Sequence, residues 1–172
     1  SYEDSNFGLF SDFQFVRADD VNGDGDLDLI VGINNYLPDA TGFVPDVVVA
    51  YLGRGDGTLE EDSIVVAKGD FISNFAFGNF SDDGFRDVAY ITNSSLRMRQ
   101  GDATGGFGVE ELIDDQDQYN DLAVADLDQN GIDDLVLSSS LNDKIVVMLS
   151  DGQFDLADAS RIEVGQGLAQ VE

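Results

Sequence analysis

Residues 20–28 read DVNGDGDLD, and the same nine-residue frame returns as NFSDDGFRD at 79–87 and DLDQNGIDD at 126–134, each with glycine sixth and aspartate ninth. A frame that recurs about every 50 residues marks a chain built from stacked copies of one supersecondary unit. The closing aspartates Asp28, Asp87 and Asp134 stand 59 and 47 residues apart, and an insertion at 34–46 accounts for the longer first interval.

Working outward, each frame is flanked alike. An apolar or alternating run precedes it (FQFVRA 13–18, NFAF 74–77, DLAVA 121–125) and another follows (LDLIVGI 27–33, DVAYI 87–91, DLVLS 134–138). Short runs rich in β-branched and aromatic residues, bounded by Gly and Asp, read as strands, so each frame is a loop joining two antiparallel strands. A third run comes next (VVVAYL 47–52, SLRMR 95–99, IVVML 145–149), then a Gly/Asp turn (53–58, 101–106, 150–153), then a weaker fourth run. No segment has helical period with caps. Four strands per unit is the arithmetic of a β-propeller blade, so the expected fold is all-β: three four-stranded antiparallel repeats, as a partial propeller or the protomer of a closed ring. The repeats divide as blade one 13–68 with its insertion, blade two 69–116 and blade three 117–164. Residues 1–12 read as an edge strand of a preceding blade and 165–172 as the start of a further one.

Composition narrows the function. Thirty-five acidic residues face 8 basic ones with no histidine, a formal charge of −27 at pH 7. Contact with nucleic acid or an anionic membrane surface sets like charge against like, so a cation is the natural partner, with a solvated acidic surface using part of the charge. An apolar share of 42%, spread along the chain, points to a folded domain rather than an acidic tail. Cysteine is absent, which removes disulfides, thiolate metal sites and cysteine nucleophiles. No apolar run reaches the ~18 residues of a membrane span, and the chain does not open on a basic-then-apolar leader, as expected of a mature or excised soluble segment.

The loops and their flanking strands resemble the FG-GAP (VCBS) repeats of integrin α-subunit propellers and of many bacterial and fungal surface proteins, over about Phe13 to Val164. Phe77-Gly78 keeps that family's opening dipeptide, where the other repeats have Ala18-Asp19 and Val124-Ala125. Gly32-Ile33-Asn34 stands where the family writes Gly-Ala-Pro. The resemblance implies an extracellular or cell-surface module for protein interaction, adhesion or scaffolding, in which Ca²⁺ stiffens the loops.

The loop chemistry agrees. Ca²⁺ takes six to eight oxygens, and loop positions 1, 3, 5 and 9 with the carbonyl of position 7 can converge on one point, the glycine at position 6 allowing the sharp turn. In the first loop these roles fall to Asp20, Asn22, Asp24, the Asp26 carbonyl and Asp28; in the third to Asp126, Asp128, Asn130, the Ile132 carbonyl and Asp134. The second loop is poorer, with Asn79 and Ser81 at positions 1 and 3, then Asp83, the Phe85 carbonyl and Asp87, and Arg86 adds a positive charge. It is expected to bind less tightly. The frame matches an EF-hand for nine positions, but it lacks the Glu at position 12 and leads into a strand. Zn²⁺ finds no His or Cys, and Mg²⁺ wants a tighter octahedron than a flexible loop offers.

Other features are read against plainer explanations. Arg54-Gly55-Asp56 spells an integrin-recognition tripeptide, yet 53–58 fits the glycine-rich hairpin turn of the resembled family. The twelve phenylalanines suit packing between sheets, with Tyr36 and Phe43 in the insertion as the candidates for stacking on a sugar. The rival function is accordingly a calcium-stabilised lectin that binds glycans between blades or at the 34–46 loop. Without His or Cys, and with its carboxylates taken up by loop geometry, the chain is not expected to be an enzyme. Because propellers close with about four to eight blades, three blades are expected to need either the rest of a longer propeller or a second copy.

Overall fold

The computed structural model describes residues 11–35, 45–139, 143–154 and 156–164. Of the segments read as parts of flanking blades (1–12 and 165–172), 1–10 and 165–172 lie outside the described residues, as does most of the insertion with Tyr36 and Phe43, while Ser11 and Asp12 belong to the first strand of the first sheet. Twelve strands and no helix are found among those described. The first sheet holds β1 (Ser11–Asp19), β2 (Asp28–Asn35), β3 (Asp46–Gly53) and β4 (Leu59–Gly69). The second holds β5 (Ile72–Gly78), β6 (Asp87–Thr92), β7 (Ser95–Arg99) and β8 (Glu111–Asp114). The third holds β9 (Asp121–Ala125), β10 (Asp134–Ser139), β11 (Lys144–Ser150) and β12 (Leu156–Glu163). Every sheet is an antiparallel meander in chain order. The expected all-β architecture of three four-stranded antiparallel repeats is thus what the chain adopts.

The register repeats as faithfully as the sequence. The residue before each loop pairs with the loop's closing aspartate: Asp19 with Asp28, Gly78 with Asp87, Ala125 with Asp134. Each nine-residue frame therefore connects the same two ladder positions in its own sheet.

The sheets stack face to face through two apolar cores. Ile30, Val48 and Ala50 of the first sheet meet Phe75, Val88 and Tyr90 of the second. Ala89, Ile91, Leu96 and Met98 on the opposite face of the second sheet meet Leu122, Leu135, Leu137 and Met148 of the third. Since side chains alternate across a strand, β6 serves both cores, and all six of its residues are buried. The alternation follows the loop frame. Residues one and three after the closing aspartate (Val88, Tyr90; Leu135, Leu137) face the preceding sheet, whereas residue two (Ile30, Ala89) faces the next.

Several phenylalanines do pack between sheets: Phe15 and Phe75 have ring centroids 4.9 Å apart, and Phe75 meets Phe77 edge-on at 5.6 Å. Gly32 makes room for this, because a Cβ there would stand 2.1 Å from the Phe15 ring. Phe13 and Phe71 do not share the role and are about three-quarters exposed.

Candidate metal loops

All three loops share one backbone course. The glycine at position 6 takes a left-handed φ of +92° (Gly25), +85° (Gly84) and +91° (Gly131). Position 4 does the same, with Gly23 at +75°, Asp82 at +53° and Gln129 at +62°. Sequence reading marks the sixth position but passes over the fourth, where only the first loop uses glycine. Side chains with a local hydrogen-bond acceptor tolerate that region better than β-branched ones.

In the first and third loops the polar side chains at positions 1, 3 and 5 fold inward onto loop N–H groups, while in the second Asp83 at position 5 does so. Asp20 accepts from the N–H of Gly23, Asp24 and Gly25 at 2.8, 3.1 and 2.9 Å. Asp126 accepts from Asn130 and Gly131 at 3.1 and 3.0 Å. Position 5 accepts from the N–H two residues on in every loop: Asp24 from Asp26 at 2.8 Å, Asp83 from Phe85 at 2.9 Å and Asn130 from Ile132 at 2.7 Å. Such local bonds gather the oxygens before any ion arrives.

Asp126, Asp128 and Asp134 each offer a carboxylate oxygen, and all three oxygens lie within 4.8 Å of one another. This is the one such group of three acidic side chains among the described residues. Three carboxylate oxygens that could hold a metal ion are therefore brought together in the third loop. The first loop has the same fold but carries the amide of Asn22 where the third has the carboxylate of Asp128, and its Asp24 accepts from that amide at 2.9 Å as well as from the Asp26 N–H. In the second loop Asp83 also accepts from the Gln100 amide at 3.1 Å, and the Asn79 Oδ1 is buried without a hydrogen-bond partner.

Position 9 has a second job that sequence reading did not assign. Asp28 accepts the N–H of Val21 and that of Gly53, both at 2.8 Å. Asp87 does so from Phe80 and Gly101 at 2.8 and 2.9 Å, and Asp134 from Leu127 and Ser150 at 2.7 and 2.9 Å. Each closing aspartate, at most 1% exposed, ties loop position 2 to the end of its sheet's third strand or, in the second sheet, to the turn just beyond it. Burial pushes the Asp28 carboxyl above the usual carboxylate range against the pull of its two N–H donors, and the Asp24 and Asp20 charges push the same way. Burial likewise raises Asp87, opposed by the Gly101 and Phe80 N–H groups. Exposed Asp24 lies below that range, held there by the Asp26 N–H and the Asn22 amide. A divalent cation would relieve the burial cost of the raised pair.

At the hairpin tip after β3, Arg54 makes a two-point ion pair with Glu60 at 2.8 and 2.7 Å. Asp56 accepts the Thr58 N–H and hydroxyl at 2.9 and 2.6 Å, while Gly55 and Gly57 take left-handed φ. Both charged members of the tripeptide are thus engaged within their own turn. A second acidic group, not singled out by sequence, lies between the second and third sheets. There Arg161 pairs with Asp117 and, at 2.8 Å, with Asp114, which also accepts the Tyr119 hydroxyl at 2.8 Å. Burial disfavours the Asp114 charge, but the Gln116 N–H, the Tyr119 hydroxyl and Arg161 together hold its carboxyl below the usual range. With its carboxylates paired to a guanidinium, that group joins sheets rather than awaiting a cation.

No protein-family model matches the chain, and no curated protein matches it.

Proposed function

We propose that this chain is a calcium-binding module of an extracellular β-propeller of the FG-GAP type, serving protein interaction, adhesion or surface scaffolding rather than catalysis. The observation that carries the reading is the convergence of Asp126, Asp128 and Asp134 within 4.8 Å in a loop whose backbone course recurs in all three sheets. The ion would be held by those carboxylates with Asn130 and the Ile132 carbonyl, and in the first loop by Asp20, Asn22, Asp24, the Asp26 carbonyl and Asp28. It supplies positive charge at a site where twelve aspartates crowd the three loops and the residues just before them. An all-oxygen set without His or Cys favours Ca²⁺ over Zn²⁺, and a flexible loop favours it over Mg²⁺. A rigid, cation-stiffened end on a β scaffold suits recognition. The outward faces of the first and third sheets suit stacking on further blades, from a longer propeller or a second copy.

The test is thermal. A metal that binds only the native state adds RT ln(1 + [Ca²⁺]/Kd) to stability, about 2.7 kcal/mol at a hundredfold excess over Kd. The melting temperature is expected to rise between chelator and millimolar Ca²⁺, and less with equal Mg²⁺. No rise would overturn the reading.

A further inference from the structure

At one end of the stack the second loop touches both the first and the third. A Cβ at Gly23 would stand 3.7 Å from the Gly84 carbonyl oxygen. The Asp133 N–H donates to the Asn79 carbonyl at 3.0 Å, and the Asn79 N–H donates back to the Asp133 carboxylate at 2.8 Å. Loop position 8 makes the contact in both directions. From the third loop, Asp133 reaches the first residue of the second; from the second, Arg86 reaches Asp19, the residue just before the first loop, at 3.9 Å. The Arg86 guanidinium also lies 3.7 Å from Asp133. One polar chain, Asp19 to Arg86 to Asp133 to Asn79, therefore crosses all three sheets.

Within 19–28, 79–87 and 126–134 the sequence places twelve aspartates and, of cationic side chains, Arg86 alone. We propose that Arg86 is a built-in counter-ion that clamps the loop end together when divalent cation is absent and opposes that cation when it arrives. Taken singly, two long and partly exposed ion pairs contribute little. Here one guanidinium sits amid a dozen like charges, and its field acts on all of them. The same positive charge that lowers their mutual repulsion makes a divalent ion in the first or third loop less favourable, as Coulomb's law requires. The second half of this inference rests on the proposed calcium reading; the clamp does not.

The experiment compares Arg86→Gln and Arg86→Lys with the unaltered chain. In chelator at low salt, the Gln variant is expected to melt below the parent, with the gap closing as NaCl rises, and the Lys variant to keep most of the parent's stability. In calorimetric titration with Ca²⁺, the Gln variant is expected to bind roughly threefold or more tightly. If Arg86 only props up the loops, Gln lowers stability and calcium affinity together, and that result overturns the counter-ion role. A melting gap unaffected by salt, or no gap, overturns the clamp. If the parent itself shows no calcium binding, the functional reading fails, while the salt-dependent melts in chelator still decide the clamp.

Discussion

Asp87 and Gly101 lie 14 residues apart in sequence, yet the buried carboxylate of the first accepts the backbone N–H of the second at 2.9 Å while its other oxygen holds the Phe80 N–H. The bond closes the loop end of the second sheet without any metal. Position 9 and position 3 should therefore fail differently. Asp87→Ala strands two buried N–H groups, at about 1–3 kcal/mol each. It is expected to lower the melting temperature markedly even in chelator. Asp128→Ala removes an exposed side chain, and is expected to leave the chelator melt nearly unchanged while abolishing one calcium site. Equal losses in chelator from both variants would contradict this division.

The loops should also rank by charge. Asp24→Ala or Asp128→Ala is expected to remove one strong site from the calorimetric stoichiometry. Asp83→Ala is expected to change it little, because Asn79 and Ser81 leave the second loop with fewer carboxylates. The same loss from all three would show that charge count does not order the sites.

Gly131 separates backbone strain from crowding. Its φ is +91°, and a Cβ there meets nothing within 4 Å. Gly131→Ala is expected to cost about 1–2 kcal/mol through conformation alone, read by denaturant midpoint, and to weaken calcium binding in the same loop. At Gly32 the cost is steric instead, since the added Cβ enters the Phe15 ring. Gly32→Ala is expected to cost about 1–3 kcal/mol with no change in calcium stoichiometry.

The pH dependence follows from Asp28 and Asp87. Their folded pKa values lie above the ordinary carboxylate value of 3.8, so the stability they contribute is fully present below that value and is lost as pH rises through the folded pKa. At neutral pH without metal their ionisation lowers stability relative to the protonated carboxyls, although each still holds its two N–H groups. Calcium favours their ionised form, so the melting gap between calcium and chelator is expected to narrow as pH falls from 7 towards 4. Melts across that range check the sign, and a gap that widens on acidification would contradict it.

The outer faces of the end sheets carry the alternation that fills the interior. Leu29 and Val31 take the register positions that Val88 and Tyr90 use to meet a preceding sheet, and Val136 takes the one that Ala89 uses to meet the next. Val16 and Val65, in the ladder row of Val31 and Val49, are 64% and 44% exposed. The isolated chain in calcium is expected to self-associate by stacking end sheet on end sheet. Sedimentation showing a stable monomer at all concentrations would count against it.

What the sequence alone determined was whatever depends on neighbours a few residues apart. Alternating runs on either side of a nine-residue frame decide where strands lie and which loop joins them, and glycine at Gly25, Gly84 and Gly131 announces the turn that gathers the oxygens. The left-handed backbone at Asp82 and Gln129 stayed hidden, because neither residue advertises it. Tertiary structure decided the rest. It turned the closing aspartates into ties to strand ends, set Arg86 between Asp19 and Asp133, and joined Arg161 to carboxylates 44 and 47 residues away. These are contacts between groups distant in sequence that meet only after strands have paired or sheets have stacked, and local pattern carries no record of which side chains will face each other there.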